Sequence, residues 1–369
     1  MIIKNIEHKS IVWFEDSNEY MVVEPVIGEI LSLLEQGSTK ETVKKVISKK
    51  IDIPESELSN LIDDVSLLIQ NSNLETNTIL DSIKEPANFL RSIFYKVNDI
   101  VFKIDFASEY ELSLVHPKFA HLEISPLETF NNHFKVFSND RFISFLIDNE
   151  NIGTWNLDEV HYFQGKFSMK IVEIMHQKLE HKWMGVFHAS AISNGKESML
   201  FLGDSGNGKS TSLALLQANS FTCLADDFVP IDAENQEVFS FPSAISIKKN
   251  SLETLLPIYP ELKTSAEYHF KRLNKIVRYL PPRNSDYTQH LPCKSLVFIK
   301  YEKDSGMKCK KISNITAFEQ LIPDSWLSPI KENAETFLQW FSGLNCYQLT
   351  YSDNTKMIST VSKIFTNEL

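Results

Sequence analysis

The chain has 369 residues, with 37 Lys and Arg against 48 Asp and Glu and a formal net charge of -11. That balance excludes a broadly basic nucleic-acid surface, and a 43% hydrophobic content belongs to folded cores rather than a disordered tail. At roughly 100 to 200 residues per domain, the length asks for two or three domains.

Residues 11–14 (IVWF) and 20–23 (YMVV), separated by the polar stretch EDSN, predict a β-hairpin. After Pro25, apolar residues at Val26, Ile27, Ile30, Leu31, Leu33 and Leu34 fall at helical spacing, and Gly37 ends the run. Ser38 or Thr39 followed by Glu41 announces a second helix with Val43, Val46 and Ile47 on one face, ending near Lys49-Lys50. A third starts around Pro54-Glu55 and carries Leu58, Leu61, Ile62, Val65, Leu68 and Ile69. We read residues 1–72 as a small unit, 73–94 as a linker, and 95–369 as a second, larger domain. The polar stretch QNSNLETNTIL introduces the linker, and residues 79–89 can form a helix that packs on either side.

Residues 95–106 and 110–115 have the alternation and β-branched content of strands, and 133–137, 153–157 and 162–167 continue it. The region 95–170 therefore reads as mostly antiparallel. A helix is expected over 171–182, with Ile171, Ile174, Met175 and Leu179 on one stripe. Strands at 186–192 and 198–202 are expected to pair antiparallel across Ser193-Asn194-Gly195-Lys196, since Asn-Gly is a favoured turn pair. Residues 315–341 read as helical and are followed by a strand over 346–351. Lys248-Lys249 and Lys308-Lys310-Lys311 read as solvated faces, with a weak attraction for phosphates as the lesser alternative, and Tyr259, Tyr268, Phe270 and Tyr279 as core or pocket lining. The four cysteines are far apart and form no CxxC, so a reducing compartment is expected and no zinc site is assigned. The N-terminus lacks a signal-peptide pattern and no apolar run approaches the roughly 20 residues that span a bilayer, so a cytoplasmic chain with no membrane partner is expected.

The most informative stretch is MLFLGDSGNGKST. An apolar strand over 199–202 runs into Gly203, Asp204, Ser205, Gly206, Asn207, Gly208, Lys209 and Ser210, a G-x-x-x-x-G-K-S loop, and then through Thr211 into a helical run. The three glycines let consecutive N–H groups converge on one point, and the new helix aims its unpaired N–H groups at the same anion. Lys209 can reach the β and γ phosphates of a bound nucleotide, and the Ser210 hydroxyl can complete a Mg²⁺ shell. Downstream, Asp226 and Asp227 end an apolar strand. One can engage the Mg²⁺ and the other can accept a proton from an attacking hydroxyl, since close carboxylates raise one pKa. His188 lies in an apolar strand shortly before the loop, where it is either a satisfied core histidine or a neighbour of the phosphates.

Together, His188, the 203–211 loop and Leu224-Ala225-Asp226-Asp227 resemble the catalytic domain of HPr kinase/phosphorylase and its relatives, which share a fold with phosphoenolpyruvate carboxykinase. The resemblance implies an ATP- and Mg²⁺-dependent kinase acting on a serine hydroxyl. His188 then stands near the phosphates, Lys209 and Ser210 at the phosphate and metal positions, Asp226 as catalytic base and Asp227 on the metal side, or these last two reversed. The bifunctional enzymes carry a PxxPGRN segment, whereas the nearest stretch here is Leu280-Pro281-Pro282-Arg283-Asn284. Phosphorylase activity and HPr as substrate are therefore not expected. Arg278 or Arg283 is either a phosphate contact or a surface arginine.

Residues 20–70 resemble the small, winged-helix-like PqqD domain that binds leader peptides in ribosomal peptide maturation, in which a peptide adds as a strand to an exposed sheet edge. The implied class is thus α+β/α/β, a PqqD-like N-terminal domain followed by a phosphoenolpyruvate carboxykinase-like P-loop kinase domain. The pair implies a precursor peptide held by its leader and phosphorylated on serine, as by kinases of lasso-peptide pathways, with a homo-oligomer possible. A metabolite hydroxyl kinase and a nucleotide-gated binding protein without phosphotransfer are the alternatives.

Overall fold

The computed structural model describes residues 1–71, 80–270 and 275–369. Mixed α/β structure runs throughout. The linker expected at 73–94 lies partly outside the described residues.

The N-terminal unit opens with a three-stranded antiparallel sheet, Ile2–Ile6, Lys9–Phe14 and Glu19–Val23, the first of which the sequence reading missed. Helices Pro25–Glu35, Lys40–Ile47 and Glu55–Asn71 come next, and Thr39 caps the second by accepting from the Thr42 N–H. The strand Lys9–Phe14 explains how this unit sits on the rest. Side chains alternate along it, so Val12 and Phe14 join the core of the three helices while Ile11 joins the large core of the remaining chain.

Residues 80–90 are irregular, with bends at 87, 88 and 90, rather than helical. The Ile83 N–H reaches Ser144 Oγ and the Leu90 N–H reaches the Phe106 carbonyl, so this stretch finds its hydrogen bonds along neighbouring strands. It leads into a six-stranded sheet in the order Glu123–Ile124, Arg91–Val97, Ile100–Phe106, Asn132–Ser138, Phe142–Ile147, Glu150–Asn156. One pair, Ile100–Phe106 with Asn132–Ser138, is parallel and the others are antiparallel.

Two strand expectations in this region are overturned. Residues 110–115 lie in the helix Glu109–Phe119, which Ser108 caps by accepting from the Tyr110 N–H, with Glu109 and Glu111 in the first turn. Residues 162–167 lie in the helix Val160–His176, because Phe163, Phe167 and Ile171 are buried at steps of four. That helix ends at Gln177, in a left-handed conformation, so the helix expected through 182 stops short and Leu179 is exposed.

A ten-stranded sheet carries the functional region. Its order is Thr222–Asp226, Ser190–Ser193, Ser198–Leu202, His290–Tyr301, Glu237–Phe239, Val229–Asp232, Trp183–Phe187, Ser325–Leu327. The long strand His290–Tyr301 branches: its start pairs with Glu237–Phe239, while its end runs parallel to both Ser198–Leu202 and Asn345–Tyr351. Met307–Lys311 closes that edge against Asn345–Tyr351. A small sheet of Ile245–Lys248, Lys275–Leu280 and Tyr268–Phe270 stands beside it. The stretch read as helical over 315–341 is two helices, Asn314–Leu321 and Lys331–Ser342, with the edge strand Ser325–Leu327 between them. Among the described residues, no helix is long and apolar enough to cross a membrane.

Candidate functional site

The expected hairpin forms with Ser190 opposite Phe201 and Ser193 opposite Ser198, across a turn that Gly195 makes with φ +87. Its first strand is shorter than expected. Residues 183–187 belong to the other branch of the sheet, and the chain crosses between branches at His188 and Ala189. The neighbouring strand crosses at the same level: Asp226 pairs with Ser190, Val229 pairs with Phe187, and Asp227 between them has φ +63. Two adjacent strands that change branches together bring His188 and Asp227 to one point, with His188 Nδ1 3.3 Å from the Asp227 carbonyl oxygen.

The glycine-rich loop leaves strand Ser198–Leu202 and enters helix Lys209–Gln217. Its glycines are required by the backbone. Gly203 has φ +131, and a Cβ there would stand 2.8 Å from the Ile299 carbonyl oxygen, while Gly208 has φ +97 with the Tyr351 hydroxyl 3.2 Å from any Cβ. The Tyr351 hydroxyl in turn bonds Ser212 Oγ at 2.8 Å, which fixes the start of the helix against the strand behind it.

Lys209 is only 6% exposed. Its ammonium donates to the Gly203 carbonyl, folding back over the loop that precedes it. Among the described residues no carboxylate pairs with it. A buried ammonium ordinarily needs an ionic partner, so among the described residues the loop is built around a positive charge with no carboxylate in direct contact.

Asp226, 2% exposed, accepts from Ser190 Oγ at 2.6 Å, Ser210 Oγ at 3.1 Å and the Ser246 N–H at 3.0 Å. Burial pushes its carboxyl up to about 7 and the charge of Asp227 adds to the rise, against these hydrogen bonds. Asp227 is half-buried and faces a cleft of 120 Å³ together with Lys209, Ser210, Thr211 and His188.

Lys248 lines the same cleft and donates to Ser205 Oγ at 2.9 Å, so it is a neighbour of the loop rather than the solvated face expected from sequence. Sequence reasoning also missed Ser190, Ser246 and the Thr211–Ser251 hydroxyl contact of 2.7 Å. The signals for Lys248 are its place in the Lys248-Lys249 pair and its spacing of two from Ser246, which puts both on one side of the strand Ile245–Lys248. Arg278 is not available to a phosphate: its guanidinium donates to the carbonyls of Leu262, Lys263 and Ser265 and to Glu267. Arg283 stacks over the ring of Tyr259 at 4.9 Å.

On the other side of the loop opens a larger cleft of 440 Å³, between Gly203, Asp204 and Asn207 on one wall and Glu319, Gln320 and Asp324 on the other. His188 and Asp204 line both clefts. Among the described residues no group of three or more His, Cys, Asp and Glu side chains is placed to hold a metal ion by itself. The donor set that fits a cation is Ser210 with the adjoining Asp carboxylates, which suits an ion that takes most of its ligands from water and phosphate.

No family model matches the chain, and no curated protein matches it. Among solved structures it is similar to the Hpr(Ser) kinase/phosphatase from Coxiella burnetii, at 10% identity over 50% of this chain and 92% of that one, with a TM-score of 0.23. This is a weak and partial likeness, too slight to define the fold family.

Proposed function

We propose that the chain is an ATP-dependent kinase that transfers the γ-phosphoryl group to a serine hydroxyl of a ribosomally made precursor peptide held through its N-terminal unit. The observation that carries the reading is Lys209, a buried cation without a carboxylate partner among the described residues, at the mouth of a glycine-rich loop whose helix begins beside it. A polyphosphate supplies the missing negative charge, and the loop N–H groups supply donors for its oxygens. Because the Lys209 ammonium lies at Gly203, the terminal phosphate belongs at the start of the loop, next to the larger cleft, and the nucleoside towards Thr211.

Mg²⁺, held by Ser210 and Asp226, would offset charge on the transferring group. We assign Asp226 to this metal side because it is buried, both its oxygens already accept hydrogen bonds, and one of them comes from Ser210. Asp227, half-buried and facing the cleft beside His188, is the better-placed base, the reverse of the first of the two assignments that the resemblance allows. The acceptor oxygen forms the new P–O bond, its proton passes to an Asp227 Oδ, and the bond from the γ phosphorus to the β,γ-bridging oxygen breaks to leave ADP. A peptide acceptor is favoured by the N-terminal sheet, whose strand Glu19–Val23 has a ladder partner on one side only among the described residues.

The test is the intact mass of a serine-containing precursor peptide, free serine and a sugar alcohol after incubation with ATP and Mg²⁺. One phosphate added to the peptide, lost in Asp227→Asn with nucleotide affinity retained, is expected. Transfer to a small alcohol alone would move the acceptor class. Transfer to none of them would end the kinase reading.

A further inference from the structure

One wall of the larger cleft is a single stretch of chain: helix Asn314–Leu321, the turn at 322–324 and the edge strand Ser325–Leu327. Its inner side presents Glu319, Gln320, Asp324 and Ser325 to the cleft, and the Asp324 carbonyl accepts the backbone N–H of His188 at 3.2 Å. An eight-residue helix and a three-residue edge strand have little stability of their own, so their position is set by what they pack against.

The N-terminal unit grips this stretch at both ends and in the middle. Glu7 Oε1 accepts the Asn314 N–H at 2.8 Å, at the start of the helix. Asn18 Nδ2 donates to the Leu327 carbonyl at 2.9 Å, at the end of the strand. The Asn18 amide is itself oriented by Trp13 Nε1, which donates to its Oδ1 at 2.9 Å. Between these two points the ring of Tyr20 meets Phe318 edge-on at 6.0 Å, and it also meets Phe337 of the helix Lys331–Ser342 at 5.5 Å. None of the three gripping residues lines either cleft.

We infer that Glu7, Asn18 and Tyr20 are positioning residues for the acceptor cleft: the N-terminal unit sets the wall that faces the glycine-rich loop, in addition to holding a peptide. The inference rests on the kinase reading, in which the terminal phosphate stands beside the larger cleft and the acceptor enters through it, its hydroxyl reaching Asp227 past His188, which lines both clefts. It means that the front unit contributes to transfer even for an acceptor too short to touch it. Tethering and wall placement are then separable contributions, the first acting through local concentration and the second through a coupling between two sites.

The experiment uses the full-length chain and a short peptide containing the acceptor serine but no leader. Three variants are compared with wild type: Asn18→Ala, Tyr20→Ala and Tyr20→Phe. Tyr20→Phe is the conservative control, since the Tyr20 hydroxyl is buried without a hydrogen-bond partner among the described residues and its loss leaves the ring contacts intact. Expected for both Ala variants is a KM for the short peptide raised about tenfold, with the ATP Kd within about twofold of wild type, while Tyr20→Phe behaves as wild type. An unchanged KM in both Ala variants, or a matching loss of ATP affinity, would overturn the inference. Amide hydrogen exchange supplies a readout that does not need transfer: residues 319–325 should exchange faster in the Ala variants, with 203–208 unaffected. If wild type phosphorylates nothing, the kinase reading fails on its own, and equal exchange at 319–325 in all chains would still sink the placement claim.

Discussion

Asp226 is where burial and function pull in opposite directions. Its carboxyl is raised from 3.8 to about 7 because burial disfavours the charged form and Asp227 adds a like charge. Between those two values the folded chain keeps a proton that the unfolded chain has released, so stability falls as pH rises through the window and the whole penalty stands above it. Asp226→Asn removes the penalty. Thermal melts should therefore show the variant gaining more over wild type at about pH 8 than at about pH 5, where both side chains are neutral. An equal difference at both pH values would mean that Asp226 is already ionised in the folded chain near pH 5. The glycine-rich loop was legible in sequence because its residues are contiguous. Two partners of Asp226 were not: Ser190 comes from a strand and Ser246 from a second sheet, and a serine within an apolar strand carries no pattern.

At the scale of elements, the loop is held by the backbone it passes. Gly203→Ala places a Cβ against the Ile299 carbonyl at a φ that L residues rarely adopt, and should cost about 3 kcal/mol in denaturant unfolding. Little change would show that the strand behind the loop can yield. The helix Glu109–Phe119 depends on its cap, so Ser108→Ala should lose about 1 kcal/mol while leaving nucleotide affinity as it was. This helix and the start of Val160–His176 were read as strands for a shared reason. A six-residue window such as 162–167 is too short to separate a period of two from 3.6, and only the continuation from Phe163 and Phe167 to Ile171 settles it. The three N-terminal helices, each with a start signal and two or more turns of periodic apolar residues, were read correctly.

Across the whole molecule, the N-terminal unit shares its core with the rest of the chain. Ile6 and Ile11 are buried in the large core, and Ile2, Tyr20 and Val22 pack against it. No sequence pattern announces this, because a strand buried on both faces reads as a plain apolar run and its partner surface is remote along the chain, as the Asn18–Leu327 contact shows with a separation of 309. A chain starting at residue 80 would uncover Phe318 and Phe337. It should melt lower than the full chain and bind a hydrophobic dye, whereas an unchanged melt without dye binding would mean that the shared core contributes little.

The functional reading turns on the buried charge of Lys209, and calorimetric titration of the full chain with ATP and with AMP, in the presence of Mg²⁺, tests it most directly. ATP should bind and AMP should bind far more weakly. Lys209→Met, which keeps an apolar stem and removes the charge, should weaken ATP at least about tenfold without lowering the melting temperature. Equal affinity for the two nucleotides, or full ATP affinity in Lys209→Met, would contradict it.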